Sequence, residues 1–311
     1  MTQTRPLSYR RAGDRTHAAI SLPIGKPGAA PTARPGLRTE SQDRSARPSD
    51  SAARCSRRRD PAARHDLRFF VGLHQPSDAK HFDAAFISVG RLRGRKSDFQ
   101  VGDWILDSQA FRTIEMHGGY PFPPEEYADQ IRRWKRCGNL LAAVTQDYMC
   151  EPFMLAKTGL SVADHQRLTI ERYCTLLQCD TGCYIMPVLQ GYTPDEYVSH
   201  IRQYGERLAY NAWVGVGSIC KRNGDPRAIL DVLGAIKTER PDLRLHGFGL
   251  KTIALANGVI RALLHTADSM AWSFAARRGG RNANDYREAE RFRDSVGVPL
   301  LYQSHFWEDL I

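Results

Sequence analysis

Three aspartates and a glutamine stand where short apolar runs give way to polar residues: Asp107, Asp147, Gln190 and Asp268. His74, the Gly217-Ser218 pair and His246-Gly247 occupy equivalent positions. One polar residue after a strand is commonly a helix cap, but a ring of acids and amides is more than a scaffold without a site needs. Two carboxylates facing one pocket suit chemistry at a glycosidic carbon: one attacks or steadies an oxocarbenium-like centre, and the other moves the leaving group's proton. The remaining amide, carboxylate and backbone N–H groups suit the edge of a flat ligand such as a purine, on which Phe111 and His246 could stack.

Basic residues follow the same positions: Lys221 and Arg222 after the Gly217 run, and Arg277, Arg278 and Arg281 after Asp268. Such a cluster can hold nucleic-acid phosphates through charge and backbone contacts. The seven cysteines are an odd number and fit a reducing, cytoplasmic compartment. Cys174, Cys179 and Cys183 are close together, but their C-x₄-C-x₃-C spacing matches no standard zinc pattern.

The elements that must position these groups come from the 245 residues after Asp66. Buried strands are expected at Phe69–Leu73, Phe86–Val89, Trp104–Leu106, Leu140–Val144, Tyr184–Leu189, Trp213–Val216, Leu243–Leu245 and Ala267–Ala271. Between them lie helix starts. Thr193-Pro194-Asp195-Glu196 combines an N-cap, a proline at N1 and a capping-box glutamate, with Tyr197, Ile201 and Tyr204 on one face and a stop at Gly205. Asp225-Pro226 opens a helix with Ile229, Leu233 and Ile236 inward, and Ser161 with Asp164 opens one carrying Ile170, Cys174 and Leu177. A further helix follows Pro123-Pro124, with Tyr127, Ile131 and Trp134 inward.

Alternating strands and helices over about 250 residues predict an α/β fold, a parallel (β/α)8 TIM-type barrel, with an open doubly wound sheet as the second choice. No dinucleotide fingerprint is present, because Gly215-Val216-Gly217 lacks its third glycine. No apolar run approaches the roughly 18 residues of a membrane span. The net charge of +10 points to a polyanion, but it is unevenly placed. Residues 1–66 carry 14 Lys and Arg against 6 Asp and Glu, leaving 30 against 28 for residues 67–311. That Arg-, Pro-, Ser- and Ala-rich extension is expected to be disordered and dispensable, with a nucleic-acid-binding arm as the alternative.

Asp107-Ser108-Gln109-Ala110-Phe111, Asp147, Val188-Leu189-Gln190-Gly191, Val214–Ser218, His246-Gly247-Phe248-Gly249 and Asp268-Ser269-Met270-Ala271-Trp272 fall in the order used by tRNA-guanine transglycosylase-like barrels. The chain most resembles the branch called deazapurine-in-DNA protein A, DpdA, from about Arg68 to the C-terminus. The stretches Phe69–Pro76, Arg91–Phe99 and Trp213–Arg222 look especially like that branch.

The resemblance implies a glycosyltransferase that exchanges guanine in DNA for a 7-deazaguanine, such as the 7-cyano base, through a covalent glycosyl-enzyme. Asp268 would be the nucleophile and Asp107 the general acid/base. Asp147 and Gln190 would read the base edge, the Gly217-Ser218 backbone its carbonyl, and Phe111 would stack. The implied partners are DNA, with tRNA as the alternative, and the 7-deazaguanine base. Accessory ATP-dependent DNA-modification proteins are further candidate partners. A non-catalytic nucleic-acid-binding barrel in a partner complex is the rival from another class. Gln109 stands where the family carries glycine and is expected to crowd the base. The last motif follows the archaeal-type Asp-Ser-x-Ala-aromatic pattern, which selects Asp268, whereas the bacterial pattern would set the nucleophile opposite Ala271. No cysteine follows Cys220, whereas the tRNA enzymes carry a Cys-rich zinc segment near their C-terminus, so no cofactor, and zinc in particular, is expected.

Overall fold

The computed structural model describes residues 67–222 and 224–296, and the extension 1–66 lies outside them. Among the described residues nine strands form one parallel sheet: β1 Arg68–Gly72, β2 Ala84–Ser88, β3 Asp103–Asp107, β4 Asn139–Val144, β5 Ile185–Met186, β6 Val188–Leu189, β7 Trp213–Val216, β8 Arg244–Gly247 and β9 Thr266–Ser269. Their hydrogen-bonded order is β5-β4-β3-β2-β1-β9-β8-β7-β6. The two ends of this sheet are consecutive pieces of chain separated only by Pro187, which has no N–H to give a ladder. On one side Tyr184 and Met186 carbonyls accept from Ala143 N (2.9 Å) and Thr145 N (3.0 Å). On the other, Pro187 and Leu189 carbonyls accept from Gly215 N (2.8 Å) and Gly217 N (2.9 Å). The result is a nearly closed parallel α/β barrel, not an open doubly wound sheet. The expected run Tyr184–Leu189 is thus two strand segments.

The helices are α1 Ala110–His117, α2 Pro124–Trp134, α3 Pro152–Thr158, α4 Val162–Gln178, α5 Pro194–Tyr204, α6 Pro226–Glu239, α7 Thr252–Leu255, α8 Gly258–Leu263, α9 Ala271–Arg278 and α10 Tyr286–Val296. Helices enter from β3 onward, whereas β1 and β2 are followed only by short 3-10 turns. No helix among the described residues is long and apolar enough to cross a membrane.

Strand periodicity divides the core in two. Phe70, Phe86, Ile105, Ala142, Val144, Met186, Val188 and Trp213 fill the barrel interior. Their strand neighbours Val71, Ile87, Leu106, Ala143, Leu189 and Val214 face the helices. The helix ends form as their sequences require: Ser161 with Asp164 and Thr193 with Glu196 both close capping boxes. Asp225 accepts from the Arg227 and Ala228 amides. Each such cap stabilises its helix by about 1 kcal/mol. On α4 the inward seam runs through Ile170, Tyr173 and Leu176, while Leu177, expected inward, is exposed. The helix is phased by its fully buried polar face, where His165 and Thr169 bond the loop after β4.

Candidate active site

A cavity of ≈ 170 Å³ opens at the C-terminal ends of the strands and brings together Asp107, Phe111, Asp147, Gln190, Gly217, Ser218 and Asp268. Tyrosines from the helices brace its rim: Tyr127 Oη donates toward Val144 O (3.0 Å), Tyr204 Oη to Val188 O (3.1 Å) and Tyr197 Oη to Gly217 O (2.6 Å).

Asp268 lies within β9, paired to Phe70 of β1 and facing inward. Its Oδ1 accepts from Gly249 N (3.1 Å) and pairs with His246 Nε2 (3.2 Å), so Oδ2 is the oxygen left for a ligand. Because a carboxylate only accepts, Nε2 carries the proton in this pair. On its other side the ring's Nδ1 lies 2.8 Å from Thr266 Oγ1, whose oxygen accepts from Trp213 Nε1 (2.8 Å). His246 itself is completely buried, stacked on Phe86 (5.7 Å between centroids) with Phe248 edge-on (4.7 Å). It is inside β8 and not after it, so the ring lies behind the cavity wall. The expectation that it stacks on a base is therefore corrected: it orients Asp268.

Asp107 closes β3, and its Oδ2 accepts from Gln109 N (3.1 Å). Burial pushes its pKa up to about 6; Ser88 and Gln109 hydrogen bonds pull against that, and the Asp268 charge adds to it. Asp147, in the loop after β4, is pushed up to about 7, again chiefly by burial, against a hydrogen bond from Gln190 and with help from the Asp107 charge. Both carboxyls can therefore carry or release a proton near neutrality.

Gln190 links the two sides of the cavity. Its Nε2 donates to Asp147 Oδ2, and its Oε1 accepts from Ser218 Oγ (2.9 Å). Its backbone is held by Gln166 Nε2 on the carbonyl (2.7 Å) and by its own N–H on His200 Nδ1 (2.8 Å). Burial pushes the His200 pKa down to about 3, which keeps this ring a neutral acceptor. A Cβ on Gly217 would collide with the Gln190 side chain, so glycine is needed there. Gly217's own N–H and carbonyl are committed to Leu189 and Tyr197, which leaves Ser218, at φ 59°, as the residue of that pair whose amide the ladder does not use.

Gln109 does not enter this cavity. Its φ of 64° lies in the left-handed region that favours glycine, and its side chain turns over Gly90 into a neighbouring cavity of ≈ 210 Å³ lined by Arg93, Arg112 and Tyr120. The side chain thus lies outside the cavity that holds the carboxylates, and the glycine of the related motif suits this backbone geometry.

At the mouth, Lys221 Nζ sits 4.4 Å above Phe111 and 5.2 Å above Phe153, and Arg222 packs 4.5 Å over Tyr192 while donating to Ser218 O (3.4 Å). Arg277 and Arg278 are exposed on the last turn of α9. Burial, with Arg91 and then Arg277, lowers the pKa of His74, whose Nε2 lies 2.7 Å from Ser273 Oγ. Arg281 does not share the cavity: it pairs with Glu288 (3.1 Å) and lines a separate cavity with Trp272 and Phe292. Of the five basic residues expected to contact phosphate, Arg281 is the one held by a carboxylate of α10.

Glu151, Phe248 and Met149 also line the cavity; Phe248 directly follows β8, whereas Met149 and Glu151 lie several residues beyond β4, where no strand end singles them out. Glu151 is the cap residue of α3, and Cys150-Glu151-Pro152 reads locally as a helix start. Among the described residues no group of His, Cys, Asp and Glu side chains could hold a metal ion.

Inward carboxylates around amide donors, on the strand-end face of a parallel barrel, define a class: a glycosyl-transferring barrel enzyme. The family model described as "DpdA: DeoxyPurine in DNA protein A" matches residues 65–285, and the chain belongs to that family. Membership makes it a DNA-acting deazapurine transglycosylase, not a tRNA-modifying enzyme or a non-catalytic barrel. No curated protein matches the chain.

Proposed function

We propose that this enzyme replaces guanine in DNA with a 7-deazaguanine by two displacements at one C1′, using Asp268 and Asp107. The observation that carries this reading is the asymmetric anchoring of Asp268, which lines the cavity with Oδ1 held by two donors. Oδ2 attacks C1′ of a flipped deoxyguanosine, the C1′–N9 bond breaks, and Asp107 in its acid form protonates the departing guanine. The incoming base then gives its N9 proton to the Asp107 carboxylate, and N9 attacks C1′ as the C1′–Oδ2 bond breaks. Two inversions return the original anomer. A pKa of about 6 lets Asp107 serve in both directions.

Asp147 and Gln190 read the donor edge of the base, Ser218 N–H takes its carbonyl oxygen, and Phe111 packs on its face. Lys221 and Arg222 contact phosphates at the mouth, with Arg277 and Arg278 further along the rim. Extruding the nucleotide costs a few kcal/mol, which an accessory ATP-dependent partner that opens the duplex would lower. Nucleophile, acid/base and donors all come from the chain, so the reaction calls for no resident cofactor. We read the barrel as (β/α)8, with residues 184–189 acting as one strand interrupted at Pro187. The thiols of Cys137, Cys150, Cys174, Cys179 and Cys183, outside any disulfide, fit a cytoplasmic setting.

Offering labelled guanine with DNA and, separately, with tRNA tests the reading. Label is expected in DNA; incorporation into tRNA alone would overturn it.

A further inference from the structure

Four carboxyls line the cavity, and the mechanism above uses three. The fourth, Glu151, is only 2 % exposed, and its Oε2 is buried without a hydrogen-bond partner. The start of α3 brings it beside Ser218, with Lys221 and Arg222 as the nearest cations. Burial raises its pKa, and a hydrogen bond from its own backbone N–H, with Lys221, Ser218 and Arg222, pulls against the rise. Ser218 Oγ lies between Gln190 Oε1 (2.9 Å) and the Glu151 carboxyl, and Oε2 still has no hydrogen-bond partner. A buried oxygen that nothing in the fold uses costs stability unless a ligand supplies a donor.

We propose that Glu151 accepts from a positively charged substituent on C7 of the incoming 7-deazaguanine, so that the enzyme takes an aminomethyl- or amidine-bearing base in preference to a nitrile-bearing one. The inference rests on the transglycosylase reading. On the fused ring the C7 substituent lies beside the C6 carbonyl, so a base whose carbonyl meets Ser218 N–H directs that substituent toward the carboxyl facing Ser218. A nitrile offers only an acceptor and leaves Oε2 unpaired. An ammonium or amidinium supplies N–H donors and opposes the charge of a cavity lined by Asp107, Asp147, Glu151 and Asp268, into which no Lys or Arg side chain is built among the described residues.

The test compares incorporation of 7-aminomethyl- and 7-cyano-7-deazaguanine into DNA by the full-length wild type and Glu151→Gln, with labelled guanine as the reference base in each sample. The wild type is expected to show a KM for the aminomethyl base at least about tenfold below that for the nitrile, the difference one charged hydrogen bond makes. Glu151→Gln is expected to bring the two values together. Equal wild-type values, or a lower one for the nitrile, would overturn the proposal without recourse to any variant. So would a Glu151→Gln enzyme that exchanges guanine and keeps the wild-type ratio. A wild type that exchanges guanine in neither DNA nor tRNA would overturn the transglycosylase reading itself.

Discussion

His246 Nε2 stands 3.2 Å from Asp268 Oδ1, and with the Gly249 amide it holds one oxygen of a carboxylate that lines the cavity. The ring is itself held by Thr266 and stacked on Phe86, so the chain from Trp213 through Thr266 and His246 to Asp268 is a fixed line of hydrogen bonds. A nucleophile oriented in advance loses less freedom on the way to the transition state. In the proposed mechanism His246 acts only through Asp268, as a positioning residue.

Replacing His246 by Ala removes one of two anchors on Oδ1. A hydrogen bond to a charged group contributes roughly 1.5–3 kcal/mol, so kcat should fall about 10- to 100-fold. KM for the free base should change much less. Steady-state exchange of labelled guanine separates the two; a rise in KM with kcat unchanged would place the ring in base binding instead.

The raised carboxyls give a pH dependence with a definite sign. Asp107 and Asp147 are protonated below, and ionised above, values of about 6 and about 7. Accepting the N9 proton and reading the base's donor edge both need carboxylates. Because the two charges interact, the profile reports the pair and not either residue. The kcat/KM for the incoming base should therefore rise from pH 5 to pH 8, and a flat profile over that range would contradict the assignment.

Gly217→Ala should press the new methyl into Gln190 and break its bridge between Asp147 and Ser218. Overpacking of this kind costs about 1–3 kcal/mol, visible as a lower denaturation midpoint, and KM for the base should rise. An unchanged KM would show that Gln190 does not read the base.

Lys221 and Arg281 should behave differently. Lys221→Ala should weaken DNA binding and reduce the slope of log K against log salt by about 0.9. Arg281→Ala should leave that slope unchanged and lower stability instead, since Glu288 is nearly buried and loses one of its two arginines. Titrations at several salt concentrations, with a denaturation curve for each variant, check both.

Much of this site is legible in the sequence because barrels place rim residues directly after apolar runs. Asp107, Asp147, Gln190 and Gly217-Ser218 were reachable from that pattern alone, and proline-led or boxed caps marked α2, α4, α5 and α6. What failed did so for geometric reasons. His246 was misplaced because β8 runs to Gly247, and one residue of register decides whether a side chain stands on the rim or behind it. The direction of the Gln109 side chain has no sequence signature, because it follows from a left-handed φ. Arg281 has its partner on a later helix, and Glu151 reaches the cavity through a helix cap; neither relation has a local signature.

The central claim is that Asp268 forms a covalent bond to C1′. Denaturing gel electrophoresis of full-length protein incubated with guanine-containing DNA tests it most directly. A denaturation-resistant protein–DNA adduct with the wild type, chased by added 7-deazaguanine and absent from Asp268→Ala, is the predicted result. An Asp268→Ala enzyme that still forms the adduct, or exchanges labelled guanine at the wild-type rate, would contradict it.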